Sequence, residues 1–312
     1  MKVSIVIVNY NTPEYTSQAV RSIFQFTKTI DFEVIVVDNG SKDNRLGVLL
    51  REFPQVRLLR NEINLGFSKG NNIALTYARG QYLTLLNSDA FISNDAIGEL
   101  CKYMDEHPNC GVVGAQLVAA SGEIHQSIFK IPTATSILSD LIFGTTLKSI
   151  IRKKFTVEAF NYKRTQRVGG AVSGACVMVR RELVENGVLL DPNYFFGLED
   201  VDLCYSAMKK GWEIHYCAEA QVVHVGGASK NTEEYEETIR RKELYWRSVR
   251  YFFSKHHNSI HSLVFRILVG GSFALKWILR SLVARVNGDL PTMVKAEYNR
   301  RVALMLLASI RH

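Results

Sequence analysis

Residues 3–41, VSIVIVNYNTPEYTSQAVRSIFQFTKTIDFEVIVVDNGS, place two runs of branched apolar residues around one amphipathic segment. The runs VSIVIV and EVIVVD have the length and composition of fully buried parallel strands. Between them, Thr12 and Pro13 open a segment whose apolar residues recur at helical spacing. We therefore predict a strand, a helix and a second strand, which is the repeating unit of a parallel α/β sheet.

The same alternation continues along the chain. We expect a helix over residues 43–53, a short strand at VRLLR, a glycine-opened helix in GFSKGNNIALTYARG and a third buried strand at YLTLL. This order predicts an open, mostly parallel α/β sheet, in which ligands bind at the carboxyl ends of the strands. The polar clusters NYNT, DNGSKD and NSDA each follow one of the apolar strands, so we expect the functional site at that edge.

The composition is that of a globular protein. The chain has 312 residues, of which 47% are hydrophobic and 22% charged, and this excludes a disordered polymer. The net charge of +8 favours an anionic partner, which is nucleic acid, a phosphate-bearing ligand or an acidic membrane surface. Five cysteines without C-x-x-C spacing predict neither a disulfide framework nor a zinc cluster, and they fit a reducing cytosol. The first apolar run is too short for a signal peptide.

The middle and the end of the chain differ in character from the first half. Residues 128–165 are basic and irregular around LKSIIRKKF and are predicted to form a loop or a small helical insert. A compact region resumes after Gly169, and the chain becomes charged and helical beyond Asn231. We expect two domains, residues 1–230 and residues 231–312.

One C-terminal segment is strongly apolar. It runs from Ser262 to Val286, SLVFRILVGGSFALKWILRSLVARV, and is interrupted by Arg266, Lys276 and Arg280. These interruptions disfavour a membrane span and favour a basic amphipathic helix lying at a membrane surface. A helix that packs in the core and a helix that forms a dimer remain alternatives.

Two aspartates and one histidine follow predicted strands. Asp38 can accept a hydrogen bond from a nucleobase or a ribose hydroxyl, or it can cap the turn that follows. Asp89, in LLNSDA, is a hard oxygen ligand suited to Mg²⁺ or Mn²⁺, or part of an ordinary polar turn. One carboxylate is too few for a strong metal site. His224, in VVHVGGAS, is either the missing ligand or a structural histidine.

Two further stretches have the composition of binding or catalytic segments. In NEINLGFSKGNN, residues 61–72, glycines permit close backbone approach and the free N–H groups of a helix start suit a diphosphate. GLEDVDLCYSAMKKGW places Glu199, Asp200 and Asp202 at the start of a helix. One of these carboxylates can act as a general base, for which we favour Asp200, or all three can complement the helix dipole.

Taken together, the motifs carry a resemblance to a known family. VSIVIVNYN, VIVVDNGSKD, NLGFSKGNN, LLNSDA, GACVMVRRE, FFGLEDVDLCYSAMKKGW and HVGGAS occur in the order seen in inverting family 2 glycosyltransferases. The chain resembles the rhamnosyltransferase-like branch most, and the match covers roughly residues 1–230. The resemblance implies a GT-A-type α/β fold, with an open, mostly parallel sheet flanked by helices and a C-terminal helical extension.

The resemblance also implies roles on the side of the sugar donor. Thr12 and Asp38 would contact the nucleoside of a nucleotide-sugar. The other donor-side residues that it implies are Asn64, Gly66, Phe67, Asn71, Asn87 and Ser88.

The metal and the catalytic base are implied in the same way. Asp89 and His224 would bind Mg²⁺ or Mn²⁺, and Asp200 would be the catalytic base, with Glu199 beside it. Asn87 stands where the family's DxD motif has its first aspartate. Because this departure removes one negative charge, we expect modest metal affinity.

The implied function is a metal-dependent inverting transfer of a sugar to a glycan or a polyprenyl-diphosphate-linked acceptor in surface polysaccharide synthesis. L-Rhamnose from dTDP-rhamnose is the expected donor sugar, with a UDP-hexose or UDP-galactofuranose as alternatives. We expect a cytoplasmic protein associated peripherally with the inner face of the cell membrane, and a homodimer remains open.

Other classes of function were weighed against this one. A non-catalytic nucleotide-sugar binder is the alternative from another class. A sugar nucleotidyltransferase is disfavoured, because NYNTPEY is not a G-x-G-T-R loop. Nucleic acid is not an expected partner, because the chain has no helix-turn-helix, zinc or RNP-like signature.

Overall fold

The computed structural model describes residues 1–42, 45–138, 160–226, 235–287 and 290–308. The chain divides into two compact units. Unit 1 comprises Met1–Ile131 and Asn161–Glu233, and unit 2 comprises Pro132–Phe160 and Glu234–His312. The predicted basic segment LKSIIRKKF lies outside the described residues.

Unit 1 is an α/β unit. Its described strands are β1 (Val3–Asn9), β2 (Phe32–Asn39), β3 (Arg57–Asn61), β4 (Tyr82–Asn87), β5 (Ala90–Ile92), β6 (Cys110–Val118), β7 (Ile128–Phe129), β8 (Gln166–Arg167), β9 (Ala171–Val172), β10 (Cys176–Arg180) and β11 (Glu213–His224). Its described helices are α1 (Pro13–Phe26), α2 (Leu49–Glu52), α3 (Phe67–Leu75), α4 (Ala96–Glu106) and α5 (Glu199–Lys209).

The main sheet is mostly parallel, which confirms the predicted fold class. Its strand order is β3-β2-β1-β4-β10-β6-β11-β5, and β8 pairs with β11. Strands β3, β2, β1 and β4 are parallel, and β6 is parallel to β11. Strand β10 runs antiparallel to both β4 and β6, and β5 runs antiparallel to β11. Strands β7 and β9 form a separate antiparallel ribbon.

The strand register aligns the ends that carry polar clusters. Asn9 pairs with Asp38 across β1 and β2, and His224 pairs with Ala90 across β11 and β5. Because β5 and β10 are antiparallel to their neighbours, their amino ends lie at the same edge as the carboxyl ends of β1, β2, β4 and β11. The predicted polar edge therefore exists as one continuous feature.

Burial in the core explains why the sequences of the central strands are uninterrupted apolar runs. Residues 3–7 of β1 and residues 34–39 of β2 are buried, since both faces of the sheet are covered. Helix α1 contributes Ala19, Val20 and Ile23 to this core, all fully buried. Burial of each valine or isoleucine side chain stabilises the fold by about 1.5–3 kcal/mol.

Two helices are shorter in the structure than the sequence pattern predicts. Residues 43–53 were expected to form one helix, but the described part is a 3₁₀ turn at Arg45–Val48 followed by the single turn of α2. Helix α3 ends at Leu75, well before Gly80. A Cβ atom on Gly80 would lie 2.3 Å from the backbone nitrogen of Ser4, so the chain must already have left the helix to approach β1.

Unit 2 is helical in its described part. Its helices are α6 (Tyr235–His256), α7 (Ser259–Asn287) and α8 (Leu290–Leu307). The rings of Phe253 and Phe265 stack with centroids 3.9 Å apart. A Cβ atom on Gly270 would lie 2.8 Å from Leu307 Cγ, so α7 and α8 approach closely at this glycine.

Helix α7 is the one helix of the described chain that is long and apolar enough to cross a membrane by length and composition. Its most apolar 18-residue window has a mean hydropathy of 1.6, and 28% of that window is buried. The buried residues of α7 show that it is partly a packing helix, as one sequence alternative proposed.

Candidate functional site

A buried asparagine organises the carboxyl ends of β1 and β2. Asn9 Nδ2 donates to Asp38 Oδ1 at 3.0 Å and to Ser41 Oγ at 2.9 Å. Its Oδ1 accepts from Thr12 Oγ1 at 3.1 Å and from Thr16 Oγ1 at 2.8 Å. The side-chain amide of Asn9 therefore forms hydrogen bonds with both Thr12 and Asp38, the two residues predicted to contact a nucleoside.

The end of β4 joins the same group of side chains. Ser88 Oγ lies 3.0 Å from Thr12 Oγ1. Asn87 is partly buried, and its backbone N–H donates to the Ala175 carbonyl at 2.9 Å, at the start of β10. The predicted donor-side residues of β1, β2 and β4 thus form one polar surface.

The segment from the end of β3 to the start of α3, residues 61–67, is called the donor loop below, after the role that the family resemblance implies for it. It is held by Asn39, which is 2% exposed at the end of β2. Asn39 Nδ2 donates to Asn64 Oδ1 at 3.0 Å and to the Gly66 carbonyl at 3.2 Å, while its Oδ1 accepts from Asn61 Nδ2 at 2.9 Å and from Leu65 N at 3.2 Å. One buried amide thus makes four hydrogen bonds to the donor loop.

Gly66 occupies a position that suits only glycine. Its φ is +85°, and a Cβ atom there would lie 2.8 Å from the Phe195 carbonyl oxygen. The next residue, Phe67, donates its N–H to that carbonyl at 3.2 Å. Asn71 is buried within α3, where Nδ2 donates to the Phe67 carbonyl at 2.9 Å, so its amide stabilises the helix start.

The two predicted metal ligands lie side by side. His224 Nε2 is 3.4 Å from Asp89 Oδ1, although the residues are far apart in sequence. The pairing of β5 with β11 creates this contact, since Ala90 lies opposite His224 in the register. Val225 N–H also donates to the Asp89 carbonyl at 3.1 Å.

The chemistry of this pair fits a divalent cation. Among the described residues, no group of three or more His, Cys, Asp or Glu residues is arranged to hold a metal, so Asp89 and His224 form a pair of two candidate ligands. Both Mg²⁺ and Mn²⁺ accept a carboxylate such as that of Asp89, whereas a neutral imidazole such as that of His224 suits Mn²⁺ better than Mg²⁺. Mg²⁺ commonly takes one or two carboxylates together with substrate phosphates and water.

Asp200 is held at the start of α5 by backbone groups. Gly197 and Leu198 have φ values of +82° and +68°, which turn the chain sharply just before the helix. Gly174 N–H donates to Asp200 Oδ2 at 3.0 Å, and Val201 N–H donates to Oδ1 at 2.8 Å. Because Gly174 precedes β10, this bond anchors the carboxylate at the polar edge of the sheet.

Glu199 has a different environment from its neighbour. Its Oε2 is buried and has no hydrogen-bond partner among the described residues. Burial, followed by the negative charge of Asp200, raises the pKa of Glu199 to about 8. Burial also raises the pKa of Asp200, but the N–H groups of Gly174 and Val201 oppose that rise by stabilising the carboxylate. Of the two, Asp200 is therefore better suited to carry the negative charge.

The residues around this pair divide into structural and exposed ones. Asp202 is buried and accepts a hydrogen bond from Tyr194 Oη at 3.0 Å, so it has a structural role. Phe195 and Phe196 are 37% and 36% exposed, so core packing does not explain these two rings.

Sequence reasoning missed the two buried asparagines, Asn9 and Asn39, as site-forming residues. Both lie at the carboxyl end of a predicted buried strand, where an asparagine is as typical of an ordinary turn as of a functional site. The available signal was their position immediately after runs of valine and isoleucine.

Comparison with known proteins gives the family. The family model "Glycosyl transferase family 2" matches residues 4–187, more than half of the chain. The matched range contains Thr12, Asp38, the donor loop and Asp89, and it ends before Asp200.

Two curated relatives and one solved structure show what the chain is similar to. It is 29% identical to poly(ribitol-phosphate) β-N-acetylglucosaminyltransferase TarS of Staphylococcus aureus over 167 residues, which are 49% of this chain and 28% of TarS. It is 23% identical to the N-acetylglucosaminyl-diphospho-decaprenol L-rhamnosyltransferase of Mycobacterium tuberculosis over 286 residues, covering 87% of this chain and 90% of that protein.

The solved structure is the mannosyltransferase PcManGT of Pyrobaculum calidifontis in complex with GDP-Man and Mn²⁺. It superimposes with a TM-score of 0.56 at 16% identity, covering 98% of this chain and 87% of that one. This likeness supports the fold. The predicted family, fold class and enzyme class agree with these comparisons, and by the extent of the family match the chain belongs to glycosyl transferase family 2.

Proposed function

We propose that the chain is a metal-dependent inverting glycosyltransferase that moves a sugar from a nucleotide-sugar to a hydroxyl group of a glycan or lipid-linked acceptor. The observation that carries this proposal is the convergence at one sheet edge of the Asn9 and Asn39 networks, the Asp89 and His224 pair, and Asp200. Family membership supplies the reaction class.

In the proposed reaction, Asp200 accepts the proton of the acceptor hydroxyl. The oxygen forms a bond to the anomeric carbon on the face opposite the diphosphate, and the bond from that carbon to the diphosphate oxygen breaks. The nucleoside diphosphate leaves with the bonding electrons, and the anomeric configuration inverts. Glu199, neutral below about pH 8, adds no second charge beside the base.

The donor side is assigned to unit 1 residues at the ends of β1, β2 and β4. Thr12 and Asp38, aligned by Asn9, are proposed to bind the nucleoside. Ser88 extends this surface toward Asp89. Further proposed donor-side residues are Asn64, Gly66, Phe67, Asn71 and Asn87.

Asp89 and His224 are proposed to bind Mg²⁺ or Mn²⁺. When bound, such an ion supplies positive charge that stabilises the diphosphate as it leaves. Because Asn87 replaces a carboxylate at the family's DxD position, the proposed site has one negative charge fewer and is expected to bind the metal with modest affinity.

Phe195 is proposed to form part of the wall on the acceptor side. Its carbonyl accepts from Phe67 of the donor loop, its ring is partly exposed, and Asp200 follows five residues later. Phe195 therefore contacts the donor loop and lies close in sequence to the proposed base.

The finer identities rest on the names of the relatives. The mycobacterial relative is an L-rhamnosyltransferase acting on a diphospho-decaprenol acceptor, so we propose L-rhamnose from dTDP-rhamnose and a polyprenyl-diphosphate-linked acceptor of surface polysaccharide synthesis. TarS is an N-acetylglucosaminyltransferase, and it supports the alternative of a UDP-hexose donor. We place the protein in the cytoplasm, peripherally on the inner membrane face, with residues 1–230 as the catalytic domain and residues 231–312 as a helical region.

The test is nucleoside diphosphate release from a panel of dTDP-, UDP- and GDP-sugars, with N-acetylglucosaminyl-diphospho-decaprenol as acceptor and with or without Mn²⁺. We expect metal-dependent release from one donor, lost in Asp89→Ala and kept in Asp31→Ala, an exposed aspartate at the other end of the sheet. Asp200→Asn is expected to lower transfer by about 10²- to 10⁴-fold and to spare nucleotide binding.

Two results would contradict the proposal. Full transfer by Asp200→Asn would remove that residue as the base. Metal-dependent nucleotide-sugar binding by the wild type, without turnover of any donor, would favour the alternative of a non-catalytic binder.

A further inference from the structure

Helix α7 has two faces of opposite character. One face is buried in unit 2 through Phe265, Val269 and Phe273. The other face carries large apolar side chains that are at least half exposed. We call it the apolar stripe, and its members used here are Ile260, Ile267, Leu275, Ile278, Leu282 and Val286.

The apolar stripe is long and continuous. Its residues recur at helical spacing from Ile260 to Val286 of α7, which corresponds to about 40 Å of helix. Scattered apolar residues are ordinary on a protein surface, whereas a contiguous face of this length marks an interaction site.

The charges on α7 identify the kind of partner. Residues 259–287 contain four basic residues, Arg266, Lys276, Arg280 and Arg285, and contain no aspartate or glutamate. Lys276 Nζ lies 5.8 Å from the centroid of the Phe273 ring, which is buried, so this ammonium lies on the side of α7 that packs in unit 2. Arg266, Lys276 and Arg280 lie three or seven residues from buried members of the packed face, whereas the exposed Arg285 lies three residues from Leu282, beside the apolar stripe. A helix that carries basic residues and no acidic ones, with Arg285 next to its apolar stripe, complements an anionic lipid surface.

The packing of α7 argues for a helix lying in the membrane plane over one that spans the membrane. Arg266 Nε donates to the Leu306 carbonyl at 2.9 Å, and its Nη2 donates to the Leu307 carbonyl at 3.2 Å. A spanning helix would have to give up this packing or carry α8 and its charges into the lipid. A second copy of the chain is a poorer partner, because its α7 would bring the same basic residues and no carboxylate to pair with Arg285.

We propose that the apolar stripe of α7 docks in the plane of an anionic lipid bilayer, with the exposed Arg285 beside it at the headgroup level. This deepens the peripheral membrane location proposed above by naming the surface that makes the contact. It would place unit 2 at the membrane where a lipid-linked acceptor resides.

The test measures binding of the full-length protein, without substrate, to vesicles of phosphatidylglycerol and phosphatidylcholine or of phosphatidylcholine alone. We expect binding to the anionic vesicles at low salt and at least about tenfold weaker binding by Ile278→Gln/Leu282→Gln, since each removes a large apolar side chain from the lipid contact. The matched control Val48→Gln/Tyr77→Gln changes two exposed apolar residues of unit 1 and should bind as the wild type does. Arg285→Gln should weaken binding to anionic vesicles and reduce its dependence on salt.

Several outcomes would overturn this proposal. They are absence of binding to anionic vesicles, equal loss in the control variant, and resistance of the bound protein to alkaline carbonate extraction, which would indicate a spanning helix. A wild-type dimer that ignores vesicles and becomes monomeric in the double variant would assign the apolar stripe to a second copy.

Two precautions keep the result interpretable. Val286→Gln alters the most exposed stripe residue, at 85% exposure, and provides a milder variant if circular dichroism shows that the double variant is misfolded. Because vesicle binding is measured without donor or acceptor, its failure leaves the transfer reaction untouched, and a lack of turnover leaves vesicle binding intact.

Discussion

Asp200 and Glu199 are adjacent carboxylates whose surroundings favour different protonation states. Asp200 accepts hydrogen bonds from two backbone N–H groups, one on each carboxylate oxygen. Backbone N–H groups of Gly197 and Glu199 also act on the Glu199 carboxylate, but its Oε2 is buried without a partner among the described residues. Two neighbouring carboxylates in one partly buried site do not ionise independently. The hydrogen bonds therefore favour ionised Asp200 beside protonated Glu199 at neutral pH, which is the arrangement that a single base requires.

Glu199→Gln tests this arrangement through stability. The folded-state pKa of Glu199 is raised to about 8, above an ordinary value of about 4.3, so the folded protein binds this proton more tightly than the unfolded chain does. Its contribution to stability is fully present below about pH 4 and is lost as the pH rises through about 8. Glutamine keeps the neutral form, so the variant should gain stability relative to the wild type between pH 6 and pH 9.

The measurement is thermal unfolding of both proteins across that pH range. We expect the difference in Tm to grow by about 2 °C or more in favour of the variant. Glu123→Gln, at an exposed position, serves as the control and should show no such trend. A Tm difference for Glu199→Gln that does not change with pH would show that Glu199 is already ionised at neutral pH.

At the scale of elements, the donor loop is held in place by contacts from two other segments of the chain. Asn39 holds it from β2, and Phe195 meets Gly66 and Phe67 from the segment that leads to α5. The donor loop therefore contacts Phe195, which precedes the proposed base Asp200 by five residues of chain. A change at Gly66 should disturb both.

Gly66→Ala is expected to destabilise the protein by about 1–3 kcal/mol, because alanine is strained at a φ of +85° and its Cβ would meet the Phe195 carbonyl at 2.8 Å. Nucleotide affinity should fall together with stability. Urea unfolding and nucleotide titration measure the two effects. Gly47→Ala is the matched control, since its nearest neighbour would lie at an ordinary 3.7 Å. Equal tolerance of both substitutions would contradict the proposed role of the donor loop.

The elements also show what sequence alone can predict. Strands β1, β2 and β4 and helix α1 follow from local periodicity and capping, because each of these signals lies within one short run of residues. The antiparallel direction of β10 between β4 and β6 was not predicted, because strand direction is decided by long-range pairing. The residues alone left His224 as either the missing metal ligand or a structural histidine, and the family resemblance implied its pairing with Asp89. Local spacing could not have placed residues so far apart side by side.

At the scale of the whole molecule, the two ends of the main sheet differ in charge and in the chemical groups that they present. The amino end, beside β1 and α4, has a cavity of about 550 Å³. Carboxylates dominate its lining, which includes Asp31, Asp95, Glu99, Asp105 and Glu106. An anionic nucleotide would be repelled there. The carboxyl end instead offers backbone N–H groups, amides and the Asp89 and His224 pair, where a cation would offset the charge of a diphosphate.

Hydrogen exchange can distinguish these two ends in the intact protein. With UDP or dTDP and Mn²⁺ at about 100 times the dissociation constant, exchange should slow by up to about 100-fold where opening requires release of the nucleotide. We expect this protection in segments separated in sequence but joined at the carboxyl edge, namely residues 9–12, 38–41, 61–67 and 87–89. Asp89→Ala should lose the Mn²⁺-dependent part of the protection, because it removes the proposed carboxylate ligand. Protection confined to residues 29–31 and 95–106 would instead assign nucleotide binding to the acidic cavity and would overturn the placement of the site.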